Sequence, residues 1–146
     1  MSNNIQNLNL ISVIGYGTFI TRGHWKDKKN VEVCLVKNYR RIFPKENWFP
    51  YVLYLEGASF WALKFSVNEE QLKELDYYEG LSAGLFERIQ ADIVLKDKKR
   101  SKAFIYIPTE KTIKSQNLIL ELDKKDRWTE EIKKYPEIVK KYPELV

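Results

Sequence analysis

The 146-residue chain carries one cysteine, one histidine and one methionine, and two of these scarcities close off a chemistry. Cys34 can form no internal disulfide and no cysteine-rich metal site. Its neighbours Val33, Leu35 and Val36 mark it as a buried strand residue rather than a reactive thiol. His24, the single histidine, excludes paired-histidine metal motifs and makes any Ser-His-Asp triad depend on one loop residue. No apolar run reaches the ~18 residues of a membrane span. The stretch from Met1 to Asn9 is polar, with no apolar core behind basic residues, so no signal peptide is expected and the cytoplasm is the default location.

Basic residues exceed acidic ones by 25 to 20, a net charge of +5. Much of the excess lies at Lys96, Lys98, Lys99, Arg100 and Lys102 and in the C-terminal lysines. Spread over two segments, it fits a solvated surface better than a nucleic-acid interface. A nucleic-acid module built on the Lys96–Lys102 hairpin and the tail is the weaker alternative, and it requires steeply salt-dependent binding. Aromatic residues make up 14% of the chain, so the core is expected to be rich in rings.

The pattern along the chain divides it into a flexible lead-in over 1–9, one domain over 10–125, and a basic helical tail over 126–146 packed on that domain. Leu10 to Tyr16 is an apolar run closed by Gly17 and predicts a buried first strand. Thr21 to Trp25 reads as a loop or short helical turn, and Val31 to Arg41 alternates as a strand. Phe43 to Pro50 is a loop. Tyr51–Leu55 and Ala58–Val67 predict two strands around a hairpin or wide turn at Glu56-Gly57. A helix is expected over 68–79, capped by Asn68 with Gln71 answering back, Val67 stapled to Leu72, and Gly80 as terminator. Leu85–Lys96 and Ala103–Ile107 predict a hairpin, and the stretch from Pro108 to about Leu122 carries no clear pattern. The tail repeats Lys-Lys-Tyr-Pro-Glu-Ile-Val and Lys-Lys-Tyr-Pro-Glu-Leu-Val. In it Pro136 and Pro143 should begin short helices, while Trp128, Ile138 and Leu145 pack inward. Many strands around one well-capped helix, without βαβ alternation, predict an α+β fold with an antiparallel or mixed sheet, closed or nearly so.

Two segments carry chemistry. In Val13-Ile14-Gly15-Tyr16-Gly17-Thr18-Phe19 an apolar strand breaks at glycine, where successive N–H groups can form a concavity for a carboxylate or oxyanion. An ordinary strand end explains that pattern equally simply. In Leu75-Asp76-Tyr77-Tyr78-Glu79-Gly80, Glu79 stands at the negative end of a helix dipole, beside rings that would desolvate it. Both effects raise a carboxyl pKa toward the range useful for proton transfer. An exposed glutamate that merely tolerates the dipole is the plain alternative.

A Tyr-Gly-Thr strand end followed some sixty residues later by Leu-Asp-x-x-Glu-Gly resembles the γ-glutamyl cyclotransferase (AIG2-like) superfamily. Phe49-Pro50-Tyr51-Val52, Gly57 to Leu63, Arg88 after an aromatic, Ala103-Phe104-Ile105-Tyr106 and Trp128 are similar to further family segments, in the right order. The resemblance spans most of 11–107 and implies a small mixed or antiparallel β-barrel flanked by helices. It implies an enzyme that converts a γ-glutamyl amide to 5-oxoproline and a free amine, with no cofactor and no metal. Glu79 would be the catalytic proton carrier, and Tyr16, Gly17, Thr18, Phe19, Phe86 and Arg88 would bind substrate, a small γ-glutamyl or other anionic ligand. Many members carry tyrosine where this chain has Phe86. A protein that sequesters or senses a small anionic ligand on the same scaffold is the alternative that this departure allows.

Overall fold

The computed structural model describes residues 10–45, 49–116 and 127–146. Five strands form its frame: β1 (Ile11–Gly15), β2 (Lys29–Ile42), β3 (Tyr51–Val67), β4 (Phe86–Leu95) and β5 (Arg100–Pro108). They close into a barrel in the order β1-β3-β2-β4-β5. All pairings are antiparallel except β1 with β5, which meet in parallel at Val13 and Phe104. The fold is therefore the closed mixed barrel with flanking helices that the resemblance implies. Closure removes every sheet edge that a short all-β assembly would otherwise expose.

The barrel interior explains the alternation in the sequence. Ile14, Val36, Val52, Ala62, Ile93, Ala103 and Ile105 are all buried in one cluster with Cys34. Burial also pushes the Cys34 thiol up to about 12, which keeps it protonated and inert. A second cluster lies on the outer face. There Phe19, Phe65, Leu72, Leu75 and Tyr106 meet Trp128, Ile132, Ile138 and Leu145. The tail thus packs against the domain, and the seven-residue repeat places Ile138 and Leu145 at equivalent buried positions. Pro136 opens a short helix and Pro143 a single 3-10 turn, while the Trp128 indole donates to the Leu145 carbonyl at 2.8 Å.

One expectation about the strands is corrected. Glu56-Gly57 is not a chain reversal: β3 runs unbroken over seventeen residues beside β2. The pairing slips between Lys37–Ser59 and Tyr39–Tyr54, so β3 bulges there. Gly57 (φ 86°) and Asn38 (φ 68°) both take left-handed backbone, and the Gly57 N–H donates to Asn38 Oδ1 at 3.1 Å. A bulge and a hairpin both call for glycine, so the glycine alone could not distinguish them. The patternless stretch after Pro108 includes a helix, Glu110–Ser115, capped by the Thr109 side chain; its continuation to Leu122 lies outside the described residues. So do the 1–9 lead-in and residues 46–48 of the Phe43–Pro50 loop.

Two helices flank the first cluster of site residues. The short α1 (Thr18–Thr21) follows β1 after a break at Gly17. The helix α2 (Glu69–Tyr78) starts with a full capping box: the Gln71 N–H donates to Asn68 Oδ1 at 2.8 Å, and the Asn68 N–H donates to Gln71 Oε1 at 2.9 Å. It ends at Glu79, the C-cap, followed by left-handed Gly80.

Candidate active site

A cavity of about 240 Å³ opens between the β1–α1 turn and the C-terminal end of α2. Its wall includes Tyr16, Gly17, Thr18 and Phe19 from the turn, and Tyr78 and Glu79 from the helix end. Pro50, Tyr51 and Phe86 line it from β4 and the start of β3. Six of the seven residues singled out from the sequence therefore border one space. Arg88 does not: its guanidinium grips Asp76, with Nε to Oδ1 at 2.9 Å and Nη2 to Oδ2 at 3.2 Å, and stacks over Phe104. Arg88 points along β4 to the flank of α2, so its geometry is that of a brace rather than a ligand contact.

The turn is shaped by close approach. A side chain at Gly17 would meet the Pro50 ring at 3.0 Å, so any larger residue would have to push that ring aside by a few tenths of an ångström. Behind the turn, Arg41 fixes the backbone from β2. Its Nε donates to the Tyr16 carbonyl at 2.8 Å, one Nη donates to the Trp61 carbonyl at 2.8 Å, and the guanidinium covers the Trp128 ring at 4.1 Å. The Gly17 carbonyl accepts from Ile20 and Thr21 N–H. In a helix of this kind the first amides, here Thr18 and Phe19, have no partner within the helix.

The helix end is held as firmly. The Tyr106 hydroxyl donates to Asp76 Oδ1 at 2.6 Å, and the Tyr16 hydroxyl donates to the Tyr106 carbonyl at 2.7 Å. Asp76 thus ties α2 to both β4 and β5, three residues before Glu79. Burial, then the Glu79 and Tyr51 charges, push the Tyr16 phenol well up, so it stays protonated and serves as a donor. Tyr78 bridges the two segments: its ring packs on Phe19 and His24, and its hydroxyl donates to Thr18 Oγ1 at 3.4 Å.

Glu79 differs from Asp76, one turn before it, which is held by Arg88 and Tyr106. No ion pair or hydrogen bond reaches the Glu79 carboxyl among the described residues, and burial alone pushes it up from the ordinary glutamate value to about 7. At neutral pH such a group holds a proton about half the time, so it can accept one and return it. His24 lines a neighbouring hollow instead, with Lys28 and Glu74, and burial lowers its pKa.

Sequence reasoning missed Asp76, Arg41 and Tyr51. Asp76 stood inside the quoted motif, but its partners lie 12 and 30 residues further on. Tyr51 stacks face to face on Phe86, ring centres 5.6 Å apart and 8° from parallel, and its hydroxyl donates to Gln116 Oε1 at 3.4 Å. Among the described residues no cluster of His, Cys, Asp and Glu could hold a metal, and no helix is long and apolar enough to cross a membrane.

Solved structures with this fold include an Arabidopsis thaliana protein determined in solution. It has a TM-score of 0.65 and 16% identity over 90% of this chain and 81% of that one. A Mus musculus aig2-like protein gives a TM-score of 0.53 with 16% identity over 68% and 77%. A yeast γ-glutamyl cyclotransferase specific to glutathione gives 0.54 with 11% identity over 69% of each chain. None of the curated proteins matches the sequence. The family model for γ-glutamyl cyclotransferase, AIG2-like, spans residues 13–130, from the strand before the glycine turn to the helix of Trp128, and the chain belongs to that family.

Proposed function

We propose that the protein is a γ-glutamyl cyclotransferase that releases 5-oxoproline and a free amine from a γ-glutamyl compound. The observation that carries the reading is a carboxyl raised to about 7 by burial, on a cavity shared with the glycine turn. The substrate's α-nitrogen attacks its own γ-carbonyl carbon, a ring C–N bond forms, and the original amide C–N bond breaks. No water enters and nothing is oxidised or reduced. Two protons pass from the α-ammonium to the leaving nitrogen, and Glu79 carries them in turn. Nucleophile and electrophile share one molecule, so the protein's work is to fold the substrate and exclude water. The Thr18 and Phe19 amides would hold negative charge on the substrate, either its carboxylate or the oxyanion that develops on the carbonyl.

The test is release of 5-oxoproline from a panel of γ-glutamyl compounds by wild type and by Glu79→Gln. Release by wild type, reduced at least a hundredfold in the variant, is the expected result. One observation favours a second reading, a non-catalytic binder of a small anionic ligand: Phe86 offers the cavity a ring without a hydroxyl. Ligand-dependent melting shifts with no product from any compound would establish that reading instead.

A further inference from the structure

The glycine turn is held from behind by one side chain of β2. Arg41 Nε donates to the Tyr16 carbonyl and Nη2 to the Trp61 carbonyl, each at 2.8 Å, so a single planar guanidinium ties the end of β1 to β3. Lysine cannot reproduce that fork, because its ammonium is a compact point charge on a flexible stem. The guanidinium is itself seated on rings, over Phe60 at 4.6 Å and over Trp128 at 4.1 Å. Trp128 is buried, and its indole N–H donates to the Leu145 carbonyl at 2.8 Å. One of the rings beneath Arg41 therefore belongs to the C-terminal tail.

The bond at the Tyr16 carbonyl acts on the other end of the same peptide. In a trans peptide the carbonyl and the following N–H point in opposite directions. With the Tyr16 carbonyl drawn back to Arg41, the Gly17 N–H faces away from the guanidinium, and Gly17 lines the cavity. Among the described residues that N–H donates to no backbone carbonyl. A cation on the carbonyl polarises the peptide and makes its N–H a stronger donor. We infer that Arg41 is a positioning residue, which aims and polarises the Gly17 N–H for the charge that develops on the substrate carbonyl, and that the tail keeps Arg41 in place through Trp128. The inference rests on the cyclotransferase reading above. Arg41 does not line the cavity itself. Nor does it act through Glu79, whose carboxyl is raised by burial alone.

The experiment measures 5-oxoproline release at a temperature where melts show each variant fully folded, so that a loss of active fraction does not pass for a loss of rate. Arg41→Met keeps an apolar stem against Trp128 and removes both donors. It should lower kcat by about thirtyfold with KM within about twofold, because the N–H is aimed at charge present only in the transition state. Arg41→Lys, which keeps the charge but reaches one carbonyl at a time, should recover part of the loss. Trp128→Phe keeps a ring beneath the guanidinium and should stay within about threefold of wild type, whereas Trp128→Leu should fall toward Arg41→Met. If Arg41→Met does not fold, Arg41→Lys carries the same test with a smaller loss. A folded Arg41 variant with wild-type kcat overturns the inference, and so does a loss confined to KM. Absence of 5-oxoproline from every compound sinks the cyclotransferase reading instead. The Gly17 amide nitrogen then decides, since its resonance senses the hydrogen bond on the preceding carbonyl and needs no substrate. An upfield shift in the Arg41 variant and in Trp128→Leu, with Trp128→Phe close to wild type, supports the inference; a resonance unmoved by the Arg41 change overturns it.

Discussion

The two ends of α2 follow opposite rules. At its start, Asn68 and Gln71 satisfy each other's backbone N–H, and Glu69 and Glu70 place negative charge where the helix dipole favours it. At its finish no basic residue occupies the last turn, and the C-cap is a glutamate turned from water. The first end is built for stability alone. The second spends some of that stability to keep a carboxyl titratable near neutral pH, and local rules tend to be broken in this way at functional sites. The difference also explains why Asp76 is so heavily tied. A terminus that carries a desolvated carboxyl keeps its position only if the turn before it is fixed, and Arg88 and Tyr106 fix it.

The largest loss of stability should follow from breaking that tie. Asp76→Asn removes the ion pair with Arg88 and should cost about 2 kcal/mol of stability, since both partners are about three-quarters buried. It should also slow 5-oxoproline release roughly tenfold while Glu79 remains present, which denaturant melts and initial rates will show. Glu79→Gln should act in the opposite sense on stability. A carboxyl whose folded pKa is raised binds a proton more tightly in the native state, so folding loses stability as pH rises from about 4.5 to about 7. The amide avoids that loss. The variant should therefore be more stable than wild type at pH 8 by about 3 kcal/mol, and equal to it at pH 4, by thermal melts at the two pH values. At the other end of the helix, Asn68→Ala should cost about 1 kcal/mol and leave kcat/KM unchanged. A large activity loss there would mean that the two ends are coupled more tightly than described.

How much of this was legible in the sequence follows the range of each interaction. The capping box lies within four residues, the β4–β5 hairpin within about two dozen, and the inward positions of the tail repeat are marked by Pro and by spacing; all three could be read directly. The glycine turn and the Leu-Asp-x-x-Glu-Gly helix end were legible as separate segments. Their meeting at one cavity depends on the register of β1 against β3 and on Pro50 lying against Gly17, which no local pattern encodes. Arg88 shows the limit most clearly. Its position after an aromatic fitted a ligand contact, but only the pairing of β4 with β5, which brings Tyr106 opposite it, reveals that Asp76 is its partner. The continuous β3 was hidden for a similar reason, since the residue that makes Gly57 a bulge, Asn38, is on another strand.

The account rests most directly on the ionisation of one side chain. Carbon-13 spectra of the side-chain carboxyls, with Glu79→Gln to assign the resonance, follow it without any substrate. A Glu79 carboxyl that titrates near 7 is the predicted result. One that titrates near 4.5, as an exposed glutamate does, would contradict the proton-carrying role given to it here.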